Sequence, residues 1–153
     1  MGVCLGRLRM TTKQYLQTYK RYEGRYLATI EQIKSIENEM ISIKSPSFDD
    51  RVQTSPIKDP IGEMVCNLER EKGKLVLRLT DYRARMLVIK NQIEEMDKID
   101  NDYYTILLLR YILNKDWKFI CNNLCISRTK ANAIHGLALL EFDKKYSKFY
   151  ASK

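Results

Sequence analysis

The chain has 153 residues and carries 27 Lys and Arg against 19 Asp and Glu, a net charge of +8, with a single histidine. That length holds one or two small domains with a real core and needs no covalent staples. No apolar run approaches the ~20 residues of a membrane span, so no membrane partner is expected.

The charge favours an anionic partner without specifying a fold. It is also uneven: residues 1–102 hold 18 basic and 16 acidic side chains, whereas residues 103–153 hold nine and three. An excess on one module is the footprint of a nucleic-acid binder, and a solvated basic surface gives the same count. Cys4, Cys66, Cys121 and Cys125 follow no framework of small secreted domains, so reduced thiols and a cytoplasmic setting are expected. Cys121 and Cys125 lie four apart, but zinc takes about four N or S ligands and His135 has no second histidine; neither a metal nor a cofactor is expected. Residues 1–10 are too short and too charged for a signal peptide, and Gly6 stands where a myristoylation signal prefers Ser or Thr.

After an N-terminal tail (1–11), apolar residues recur in steps of four and three: Tyr15, Tyr19, Tyr22, Tyr26, then Ile33, Ile36, Met40 and Ile43, with Thr29 the one interruption. Such spacing keeps a stripe on one side of a helix, ending near Lys44. Residues 45–62, with Pro46, Pro56 and Pro60, read as a loop. A second stripe follows: Val65, Leu68, Lys72, Leu75, Leu79, Tyr82, Met86, Ile89, Ile93 and Met96, with Lys72 its one polar member. Each stripe spans about 45 Å at 1.5 Å per residue, so residues 12–98 are expected as an antiparallel helical hairpin; pairing between chains satisfies the same pattern. The tyrosines read as seam packing with hydroxyls at the edge.

Asp97, Asp100 and Asp102 lack the glycine and terminal glutamate of a calcium loop and read as helix-boundary residues. Residues 100–146 then form a second domain, followed by a basic tail (147–153). Within it 103–113 is an apolar core helix, Asp116 is set to cap a helix presenting Trp117, Ile120, Cys121 and Leu124, and Ser127 is set to cap the next. Ala131, Ile134 and Ala138, supported by Leu137 or Leu139, face inward, leaving Arg128, Thr129, Lys130, Asn132 and Ala133 outward. Two short helices and a tight turn are the build of a DNA-reading helix-turn-helix, and of some plain core segments. The outward residues suit the major groove: Arg pairs with guanine, Asn with adenine, and Ala or Thr meets the thymine methyl. Arg110, Lys115 and Lys118 are the expected phosphate contacts. His135 either touches phosphate or covers the core beside Gly136.

The run Leu109-Arg110-Tyr111, the helix of Trp117 to Leu124, Ile126-Ser127 and Ala138-Leu139 resemble the fourth region of the sigma-70 family. With Ile134-His135-Gly136 and the tyrosine-rich helix ahead, the chain more closely resembles phage regulators of the RinA and ArpU type. The resemblance implies an all-α protein, a helical hairpin or coiled coil followed by a sigma-70 region 4-like helix-turn-helix, which controls late phage transcription in the bacterial cytoplasm. Arg128, Thr129, Lys130, Asn132 and Ala133 would inherit the base-facing role. Cys121, Cys125 and Thr129 depart from the sigma pattern, so the target sequence does not carry over.

A sequence-specific transcription regulator is therefore expected, with double-stranded DNA and RNA polymerase as partners and a dimer as the favoured form. A terminase small subunit, assembling as a ring, and a helical scaffold without nucleic acid are the alternatives. An enzyme is not expected: there is one histidine, no Gly-rich phosphate loop and no suitably paired carboxylates, hence no catalytic residue to name.

Overall fold

The computed structural model describes residues 10–44 and 60–150. Most of the expected N-terminal tail with Cys4, the loop as far as residue 59, and residues 151–153 lie outside them. Five α-helices carry the fold, with no strand among the described residues: α1 (Thr12–Lys44), α2 (Pro60–Glu94), α3 (Asn101–Leu107), α4 (Trp117–Leu124) and α5 (Arg128–Tyr146). No described helix is long and apolar enough to cross a membrane.

Local chemistry explains where these helices start. Thr11 and Gln14 cap α1 reciprocally, since the Gln14 amide donates to the Thr11 hydroxyl while the Thr11 amide donates to the Gln14 side chain. Proline is favoured in a helix's first turn because its missing N–H would have no partner there, and α2 begins on Pro60. The expected loop therefore ends before residue 60 rather than at 62. Asp100 caps α3 by accepting from the Asp102 amide at 2.8 Å, and Asp97 accepts from the Asn101 side chain at 2.8 Å.

The chain groups into two compact units, Gly24–Arg83 and Met1–Glu23 with Ala84–Lys153. In the first, Ile36 packs with Leu68 and Leu75, flanked by Ile33, Met40 and Ile43. Lys72, the polar member of its stripe, forms an ion pair with Glu37. Part of each stripe thus packs on the other in this unit.

In the second unit, α1 contributes Leu16 and Tyr19, and α2 contributes Ile89 and Ile93, to a core that also holds Leu107 and Phe142. The grouping differs from the sequence-based division near residue 99, because the first turns of α1 and the last turns of α2 pack with the C-terminal helices. Residues 147–150 are also not simply a tail. Tyr150 is 6% exposed, its ring stacks on Tyr15 at 4.7 Å, and its hydroxyl donates to Asp143, which accepts from Thr12 as well.

The expected helix over 103–113 is divided. It is α-helical to Leu107 and continues as a π-helical turn, Leu108–Ile112. A π turn rotates the side chains relative to an α-helix. Here the segment buries residues on two sides: Leu107 and Tyr111 join the main core, while Ile106 and Leu109 meet Ile120 of α4.

Candidate nucleic-acid interface

Residues 117–146 form a short helix, a tight turn and a longer helix. Asp116 is extended and accepts from the Phe119 amide at 2.8 Å, starting α4. Ile120 of α4 is fully buried, with Trp117, Leu124 and Ile134 of α5 packed about it. The helix stops where Cys125 adopts φ 53° and ψ 41°. The Ile126 amide then donates to the Cys121 carbonyl at 3.1 Å and the Cys125 amide to that of Asn122 at 3.3 Å. These two bonds make a Schellman end, which favours glycine at the left-handed position. Ser127 follows, extended, and its hydroxyl accepts from the Lys130 amide at 3.2 Å to open α5.

Ala131 and Ala138 of α5 are fully buried and Ile134 partly so. Leu139, not Leu137, supports them; Leu137 is half exposed. Arg128, Thr129, Lys130, Asn132 and Ala133 are all exposed. At about 100° per residue, Thr129, Asn132 and Ala133 form the outward ridge, with Arg128 and Lys130 on its flanks. The ridge runs on through Gly136 to Leu140, two exposed residues that the sequence reading left out.

Trp117 collects the guanidinium groups. Arg128 lies over its ring with Cζ 4.3 Å from the centroid, and the Cζ of Arg110 is 5.3 Å away. Arg110 also donates to the Lys115 carbonyl at 3.3 Å, so this expected phosphate contact is partly occupied inside the protein. The Lys115 ammonium sits 5.0 Å from the Phe119 ring centre, and Lys118 is exposed.

The three carboxylates of the last third are committed elsewhere: Asp116 caps α4, Glu141 pairs with Lys144, and Asp143 accepts from Thr12 and Tyr150. No ion pair engages Lys115, Lys118, Arg128 or Lys130 among the described residues. Four cations of this region are thus without an ion-pair partner among the described residues.

His135 sits behind Trp117. Its Nε2 and the Tyr111 hydroxyl share a hydrogen bond at 3.0 Å, and its ring meets the indole edge-on at 5.2 Å. Burial, then the charges of Lys13 and Arg110, pull its pKa down to about 4. It is neutral at pH 7 and packs rather than offering charge to a phosphate. Burial pushes Tyr111 up to about 12, against a lowering influence from Arg110.

Among the described residues no three His, Cys, Asp or Glu side chains gather as metal ligands would. The chain matches no known protein-family model, no curated protein and no solved structure.

Proposed function

We propose that the protein is a sequence-specific DNA-binding regulator of transcription, of the phage late-gene kind that its sequence resembles. In this reading α4, the Cys125 turn and α5 form a helix-turn-helix, and α5 lies in the major groove. The observation that carries the reading is the start of α5: a capped helix, presented after a tight turn, with five exposed residues and uncompensated cations around them. Thr129, Asn132 and Ala133 on the outward ridge would meet base edges, with Arg128 and Lys130 reaching them from its flanks. Lys115 and Lys118 would meet the backbone. The cytoplasm of a bacterial host and RNA polymerase as a partner belong to the same proposal. A dimer, which would let two such modules read paired half-sites, belongs to the same proposal.

The test is selection from a pool of random duplexes at physiological salt. A recovered consensus is expected, and Arg128→Ala and Asn132→Ala should each cost about 1–3 kcal/mol of discrimination at one base pair. Recovery of no consensus, or a consensus indifferent to both substitutions, would overturn the proposal.

A further inference from the structure

A second cationic feature lies in the same compact unit. A cleft of about 360 Å³ is lined by Gln17 and Lys20 of α1 and by Arg110, Tyr111 and Asn114, the π turn and its exit. Its lining offers one ammonium, one guanidinium and two amides, with no carboxylate. Asn114 is fixed in the left-handed region at φ 51°. Arg110 is fixed by Trp117 and the Lys115 carbonyl, a single hydrogen bond that leaves most of its five donors unspent. Lys13 lies one turn before Gln17 on the same face of α1, close enough to act electrostatically on His135. Neither Lys13 nor Lys20 has an ion pair among the described residues.

We infer that this cleft is a phosphate-binding site in which Lys20, Arg110 and Asn114 hold a backbone phosphate of duplex DNA. The first turns of α1 are then part of the nucleic-acid interface. The inference rests on the DNA-binding reading and extends it. One feature favours a backbone phosphate over an isolated anion: the guanidinium of the cleft shares the Trp117 ring with Arg128 at the start of α5. A ligand on α5 and a ligand in the cleft are thus served by one connected group of side chains. Phosphate contacts position a duplex without reading it, so Lys20 adds affinity at every sequence.

The experiment measures affinity of the full chain for a short random-sequence duplex over a range of salt concentrations. Each lost phosphate contact lowers the slope of log affinity against log salt by about 0.9. Lys20→Gln should lower it by about that amount. Lys34→Gln, which removes an exposed lysine paired with Glu31 in the other compact unit, should leave it unchanged. The α5 consensus should survive Lys20→Gln. An unchanged slope in Lys20→Gln, or an equal fall in Lys34→Gln, overturns the cleft while leaving the proposed function standing. A lowered slope confined to Lys20→Gln, in a protein that selects no consensus, upholds the cleft and overturns sequence reading. No binding to any duplex overturns both.

Discussion

The Arg128 guanidinium lies 4.3 Å from the centre of the Trp117 ring, so the first residue of α5 is held by the first residue of α4. A cation over an aromatic face contributes about 0.5–1 kcal/mol at a partly exposed site. Its larger use is to restrict a long side chain before a ligand arrives, which lowers the ordering cost of binding. Trp117→Phe keeps a ring beneath Arg128, and Trp117→Leu does not. The Leu variant is expected to discriminate between consensus and random duplex two- to fivefold less well than the Phe variant. Competition binding checks this, and equal discrimination by the two variants would show that the stacking does not position Arg128.

His135 gives the protein an assignable pH response between about pH 4 and 6.5. Its folded pKa of about 4 lies below the ordinary 6.5, so between those values the unfolded chain binds more protons than the folded one. Stability from the neutral imidazole is complete above pH 6.5 and is lost as pH falls towards 4. The full shift, discounted for the ring's partial exposure, corresponds to ~2 kcal/mol. Urea midpoints from pH 7 to pH 4 should therefore decline, and less steeply in His135→Gln. Because the sequence has one histidine, its ring proton resonance can be followed without ambiguity. A midpoint of that titration near 6.5 would contradict the buried, neutral state.

Leu16 is fully buried against residues more than 70 positions further along the chain, in the cluster of Ile89, Ile93, Leu107 and Phe142. Leu16→Ala is expected to cost about 2–5 kcal/mol, a range set by how far the site can collapse. Leu140→Ala, at an exposed position, should stay within about 0.5 kcal/mol. The same packing predicts that a fragment of residues 100–150 lacks cooperative unfolding, since it would expose Leu107, Tyr111 and Phe142. Calorimetry of that fragment and of the full chain makes the comparison.

Features that depend on neighbouring residues were legible in the sequence. Asp116 and Ser127 cap helices whose amides lie three residues away, and the outward set on α5 follows from helical spacing alone. Long-range features were not. Nothing local marks Tyr150 as a core residue, because its partners are Tyr15, Thr12 and Asp143. Lys72 broke an apolar stripe until Glu37 was placed opposite it. The π turn escaped because a run of apolar residues looks alike whether one side or two are buried. Lys20 escaped because its cleft combines it with residues about 90 positions away.

Cys125 supplies the last prediction. At φ 53° its Cβ crowds the backbone, a conformation that costs an ordinary residue roughly 1 kcal/mol and glycine almost nothing. Its side chain is exposed and contributes one weak contact, from the thiol to the Asn122 carbonyl at 3.6 Å. Removing it therefore sacrifices little packing. Glycine gives back part of the gain through the greater freedom of the unfolded chain. Cys125→Gly is expected to raise stability by about 0.5 kcal/mol, and Cys125→Val, branched at Cβ, to lower it by more than that. If urea unfolding ranks Val above Gly, the side chain rather than the backbone geometry controls this turn.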